Sequence, residues 1–177
     1  FLNFMDGVDG LVALNSLIFL IVASIDVSPS IFPLVFALLG FLIWNWSPAK
    51  VFMGDAGSTF LGAITIGIIL KKEELRDTIL ILMVLSPLLM DSVICIFRRI
   101  YYGNNIFKAH KLHLYQRLHQ AGWSHSKVTI LYGLATFLLA IIYLLGKYKL
   151  LIFSTLIVLA FGIYLDKKKA IKFKTKQ

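Results

Sequence analysis

The chain has 177 residues, 59% of them hydrophobic, and a mean hydropathy of +0.84. Soluble domains are roughly half apolar, so the composition excludes an ordinary water-soluble domain and points to a membrane protein. The net charge of +9 does not argue for nucleic acid, because the basic residues fill the gaps between apolar runs and are not interleaved with aromatics on one face.

The chain opens at Phe1 with Asp6 and Asp9 close behind. A signal peptide needs a basic start followed by an apolar stretch, so these residues are expected to follow a missing N-terminal portion. Six apolar runs come next, at about 10–25, 31–46, 58–70, 78–97, 128–146 and 149–165. They are continuous rather than alternating, which excludes strands of a membrane barrel. A span takes about 20 residues. The second and third runs are short and are expected to borrow flanking residues. The expected fold is all-α, a polytopic transmembrane helix bundle of about six spans in one domain. Cys95, the single cysteine, lies inside the fourth run and reads as a small packing residue.

Six spans place the loops alternately on two sides. Residues 1–9, 47–57, 98–127 and 166–177 carry 13 Lys and Arg, against 4 in residues 26–30, 71–77 and 147–148. The positive-inside rule puts the first set in the cytoplasm, where the basic tail 166–177 would rest against anionic lipid. Three polar clusters then share one membrane face.

The first cluster is Asn3-Phe4-Met5-Asp6-Gly7-Val8-Asp9-Gly10. Asp6 and Asp9 share a face if the segment is helical and suit a metal or a nucleoside hydroxyl. A solvated loop starting a helix fits equally well. The pattern fails as a calcium loop, having Val8 at the third position and no Glu at the twelfth. It also lacks the Ala-Arg and the further aspartates of the alcohol phosphatidyltransferases. The second run ends in Trp44-Asn45-Trp46, an interface belt in which Asn45 reads most simply as another interface polar residue.

The second cluster, Val51-Phe52-Met53-Gly54-Asp55-Ala56-Gly57-Ser58, is a polar turn between apolar runs. Bare glycine backbone admits a phosphate, a helix starting there aims free N–H groups at it, and Asp55 can hold Mg²⁺ against it. A plain helix cap is the competing reading. Phe52 offers a ring for stacking a base or for lipid contact. Asp91 stands inside the fourth run, two helical turns before Arg98 and Arg99. An ionisable group at that depth is functional by default, with a buried partner for an arginine or a backbone group as the alternative. The third cluster holds His110, Lys111, His113, Arg117, His119 and His125. Arg117 with His113 and His110 can neutralise a pyrophosphate, and a basic loop on lipid headgroups fits the spacing equally well.

Taken together, Asn3 to Leu11, Asn45 with Pro48-Ala49, Val51 to Ser58, Asp91 with Arg98-Arg99, and His113-Leu114-Tyr115-Gln116-Arg117 closing on Ala121-Gly122-Trp123 resemble the polyprenyl-phosphate N-acetylhexosamine-1-phosphate transferase superfamily, glycosyltransferase family 4. The resemblance implies attack of undecaprenyl or another polyprenyl phosphate on a UDP-N-acetylhexosamine, with UMP released, at the cytoplasmic face of a bacterial inner membrane. It implies Mg²⁺, with Mn²⁺ as a substitute, held at Asp55. Asp6 and Asp9 match the nucleotide pocket, with Asn3 among them. Asn45, Phe52 and Gly54 match positions beside the nucleoside and phosphate, and Asp91, His110, His113 and Arg117 would serve the donor. The family's earlier aspartate pair is absent, so the chain is expected to be a C-terminal half, inactive alone. Tyr115 and Gln116 stand where the phospho-N-acetylmuramoyl-pentapeptide branch carries consecutive histidines. That favours the enzymes priming O-antigen and other envelope glycans and sets the pentapeptide enzyme second. A transporter or channel fragment, with Asp91 lining an ion path, is the alternative class, although no internal repeat supports it. A homodimer is compatible with such a bundle.

Overall fold

The computed structural model describes residues 1–105, 108 and 110–173. Ile106, Phe107 and Ala109 of the expected substrate loop, and residues 174–177 of the basic tail, lie outside the described residues. Among the described residues every regular element is helical: α1 (Leu2–Met5), α2 (Leu11–Asp26), α3 (Phe32–Asn45), α4 (Gly54–Ile69), α5 (Leu75–Val84), α6 (Ser86–Tyr101), α7 (Leu114–Gln120), α8 (His125–Leu144) and α9 (Tyr148–Lys168). A single 3₁₀ turn at Pro29–Ile31 leads into α3.

All six apolar runs are helical, but they are not six equal spans. Among the described residues only α8 and α9 are long and apolar enough by themselves to cross a membrane, while α2, α3 and α4 are shorter apolar helices. The fourth run is broken. It forms α5 and α6, which meet at an 89° bend. Pro87 is the local cause: it sits in the first turn of α6, where it lacks a donor for the preceding carbonyls and cannot continue a helix arriving from α5.

The core is built around α2, whose Leu11, Val12, Ala13, Phe19, Leu20 and Val22 are fully buried. Helix α8 lies against it so closely that a Cβ on Gly133 would stand 2.5 Å from Leu14 Cδ2. The same seam carries a polar clasp, with Thr136 Oγ1 donating to Asn15 Oδ1 at 2.5 Å. Small residues and interhelical hydrogen bonds are what hold helices together where the surroundings are as apolar as the side chains. On the outside, α9 exposes Phe153, Leu156, Ile157 and Phe161, as a lipid-facing helix does.

The loops sort to two ends as the alternation requires. At one end Asp26 pairs with Lys72 at 2.7 Å and accepts the Tyr143 hydroxyl at 2.6 Å, and the Arg76 guanidinium lies over Tyr148. At the other end the segments around Asp9, Asp55 and His113 meet.

Candidate active site at one end of the bundle

Helix α4 begins at Gly54, whose φ of +63° belongs to the left-handed region. A glycine enters that region without the steric cost of a Cβ. Asp55 therefore sits in the first turn of α4, exposed, beside the helix's free N–H groups. One turn on, the buried Ser58 hydroxyl donates to Asn3 Oδ1 at 2.7 Å. That bond ties the α4 start to the first cluster. Asn3 and Ser58 each lie three residues from an aspartate, and Asp6 and Asp55 come near enough for their charges to interact. The consequence is electrostatic: burial and then the negative charge of Asp55 raise the Asp6 carboxyl above its ordinary range. Neither carboxylate has an ion pair or a side-chain hydrogen bond among the described residues. Two carboxylates whose charges repel, with no ion pair among the described residues, are hard-oxygen donors of the kind Mg²⁺ prefers.

The histidine segment closes on the same place. The Phe4 ring stacks on His113 at 6.4 Å, His113 stacks on His110 at 5.0 Å and on Tyr115 at 5.7 Å. Tyr115 donates its hydroxyl to the Phe4 carbonyl at 3.0 Å. Gly7 makes room for that contact, since a Cβ there would lie 2.6 Å from the Tyr115 oxygen. Burial, with the nearby charge of Asp91 behind it, pushes the Tyr115 phenol up, so the hydroxyl stays a donor. Phe52, two residues before Gly54, is 74% exposed.

Other expected site residues prove to be struts. Asp91, 8% exposed, accepts the backbone N–H groups of Leu114 at 2.7 Å and Tyr115 at 3.1 Å, and the Tyr132 hydroxyl at 2.7 Å. It is the anionic cap at the start of α7, the placement that helix termini favour. The backbone alternative holds for Asp91, and among the described residues no arginine pairs with it. Arg117 is likewise not open to a pyrophosphate. It is 3% exposed, donates to the Leu112 and Ile171 carbonyls, and pairs with Asp166. Burial and then the charge of Arg98 draw its pKa down. Arg98 takes the other Asp166 oxygen at 2.6 Å, and Arg99 turns to the backbone carbonyls of Asn105 and Lys108. Asn45 bridges the clusters, accepting from Gly10 N at 3.1 Å and donating to the Val51 carbonyl at 2.8 Å. Asp9 is engaged elsewhere, 3.0 Å from His125 Nδ1 and accepting from Ala49 N at 3.2 Å. Burial works against its ionisation, but those hydrogen bonds prevail and hold its carboxyl below the ordinary range.

Comparisons with known proteins bear on this arrangement. Residues 1–72 match the family described as Glycosyl transferase family 4. The phospho-N-acetylmuramoyl-pentapeptide-transferases of Bacillus cytotoxicus, Bacillus thuringiensis (strain Al Hakam) and Bacillus cereus (strain AH187) are each 36% identical over 152 residues, covering 79% of this chain and 45% of the relative. The chain is a relative of the polyprenyl-phosphate sugar-1-phosphate transferases. It spans under half the length of the curated relatives it matches. The relatives named here are pentapeptide-transferases, the branch that Tyr115 and Gln116 set second.

The sequence motifs contain Phe4 and Ser58 but give them no role of their own, and Asp166 drew no attention. The first two act through a stacked ring and a side-chain hydroxyl bond to distant segments, which leave no local signature. Asp166 was counted only as part of a basic tail.

Proposed function

We propose that this chain belongs to an enzyme that transfers a phospho-sugar from a uridine diphosphate donor to a polyprenyl phosphate, with UMP as the leaving group. The observation that carries the reading is the convergence of Asp6, Asp55 and His113 from three distant segments on one polar end. Phosphoryl transfer needs positioning and charge neutralisation more than covalent chemistry; these residues would supply the first directly and the second through a cation held by the carboxylates. Asp55, with Asp6 beside it, would hold Mg²⁺, and Mn²⁺ would satisfy the same oxygens. The cation would neutralise charge on the donor's phosphates. Phe52 stacks the uracil, and the half-buried His110 bonds the pyrophosphate or sugar, held against the buried ring of His113. Asp9 and Asn45 hold the first loop in register, while Asp91 and Arg117 hold the histidine segment. A cavity of about 340 Å³ lies between α6, α8 and α9, walled by Met90, Leu131, Leu138 and Phe161 with Arg98 at its edge. It suits the apolar chain of the acceptor with its phosphate near the arginine.

The donor favoured by the relatives is the UDP-linked N-acetylmuramoyl-pentapeptide. Tyr115 and Gln116 favour the second donor, a UDP-N-acetylhexosamine. Purified full-length protein offered both donors with polyprenyl phosphate should release UMP from one. Asp55→Asn should lower that release by about 100-fold or more, the scale of losing a key charge-stabilising group. Unchanged turnover in that variant would remove Asp55 from the chemistry. Ion flux in liposomes without UMP release would favour a transporter.

A further inference from the structure

His119 and His125 have no part in the reaction as read above, yet they join two of the segments that build its site. His119 lies in the last turn of α7 and His125 opens α8. Their rings meet edge to face, with the Nε2 atoms 3.3 Å apart and sharing a hydrogen bond. Counting hydrogens fixes the charge of the pair. His119 Nδ1 is 2.9 Å from the Trp123 carbonyl oxygen, which can only accept, so this nitrogen donates. His125 Nδ1 is 3.0 Å from Asp9 Oδ2, on a carboxyl that its hydrogen bonds hold ionised. That nitrogen donates as well. The Asp9 backbone N–H lies 3.4 Å from the same nitrogen, longer than the usual range. Two neutral imidazoles have one N–H each, and both are spent at Nδ1. The bond between the Nε2 atoms therefore needs a third hydrogen. The pair holds one proton more than two neutral rings, and the Asp9 carboxylate draws that charge to His125.

The charged ring holds the loop between α1 and α2. Asp9 is tied there by its carboxylate to His125 and to the Ala49 N–H, and by its carbonyl to the Thr129 hydroxyl at 2.7 Å. Asp6 stands three residues earlier in the same loop, so a shift of Asp9 passes along a short span to the Asp6 carboxyl. We infer that His125, kept protonated by its bond to His119, is a positioning residue: it fixes Asp9, and through Asp9 the loop that presents Asp6 to Asp55. The inference rests on the phosphotransfer reading of Asp6 and Asp55. The titratable groups that meet the His125 ring are Asp9, from the loop before α2, and His119, from α7. Lys127, on α8 itself, lies over the Trp123 ring. Loss of the extra proton would set two Nε2 lone pairs against each other, part the rings and remove the cation facing Asp9.

Charge and position are read separately, and neither readout needs turnover. In full-length protein isotopically labelled at histidine, in detergent at neutral pH, the side-chain nitrogen resonances should show hydrogen on both nitrogens of His125 and on Nδ1 alone of His119. A neutral His125, with hydrogen on one nitrogen only, would overturn the proposal. That measurement uses the unaltered fold. Position is read from the Mg²⁺ concentration that half-saturates the rise in melting temperature. His125→Ala should raise that concentration about 10-fold, the scale of losing a group that orients metal ligands. His125→Lys, which returns a cation to Asp9 without the imidazole shape, should recover most of the loss. An unchanged Mg²⁺ requirement in His125→Ala, or equal losses in the two variants, would overturn the positioning role. UMP release by the unaltered protein tests the phosphotransfer reading by itself: its absence would remove that reading, while the resonances and the Mg²⁺ titration would still decide what His125 does.

Discussion

Asp6 shows how a single residue can be unfavourable for the fold and useful to the site. Its carboxyl is raised by burial and by Asp55, so the folded chain disfavours the charged form. A carboxyl whose pKa is raised on folding costs no stability in acid and costs increasingly as pH climbs through the ordinary carboxylate range and past it. At neutral pH, without a divalent cation, Asp6→Asn should therefore melt at a higher temperature than the parent, while its UMP release falls. Added Mg²⁺ should narrow the difference in melting temperature by stabilising the parent alone. Arg117 behaves in the opposite way. Replacing it with alanine leaves Asp166 short of one buried partner and frees two carbonyls, so Arg117→Ala should cost about 3–5 kcal/mol, as breaking a buried ion pair does, read by denaturant unfolding. The sequence made Asp6 and Asp55 legible because each stands beside glycine in a polar break between apolar runs. It did not make the duties of Arg117 or Asp91 legible. Their partners lie 49 residues away at Asp166 and 23 and 24 residues away at the α7 backbone. A basic residue near histidines reads the same whether it meets a phosphate or a buried aspartate.

Among the elements, apolar run length located the helices well, since backbone groups in an apolar setting must be satisfied within the segment. It failed at the α5–α6 bend because Ser86-Pro87 interrupts hydropathy too briefly to register, though it ends hydrogen bonding. The α2–α8 seam depends on shape rather than hydropathy. Gly133→Leu keeps the segment as apolar as before but drives a side chain into Leu14, already within 2.5 Å of where a Cβ would stand. Overpacking of this kind costs about 1–3 kcal/mol. It should also strain the Asn15–Thr136 bond and lower the melting temperature. Gly133→Ser, smaller and able to hydrogen-bond, should lose less. Equal losses in the two variants would show that the seam is looser than the packing indicates.

For the molecule as a whole, the loop alternation read from the apolar runs matches the two polar ends of the structure: Asp26, Lys72 and Tyr143 gather at one, and Asn3, Asp9, Ala49, Ser58 and His125 at the other. By the positive-inside rule, the bias of basic residues leads us to expect the second end on the cytoplasmic side. Cysteines introduced at Ser30 and Ser124 test this in the full-length protein, because Cys95 is buried. In intact spheroplasts a membrane-impermeant maleimide should label position 30, and label position 124 only after permeabilisation. The reverse pattern would invert the topology and move the phosphotransfer site across the membrane.

Asp166 gives one oxygen to Arg98 and the other to Arg117, and Phe173 lies against both guanidinium groups. The last helix thereby acts as a guy rope for the histidine segment, made fast from the far end of the polypeptide. Cutting the chain just after Leu165 would slacken it. Such a truncation would be diagnosed by its kinetics as damage to substrate handling, although every group proposed to touch substrate would still be present.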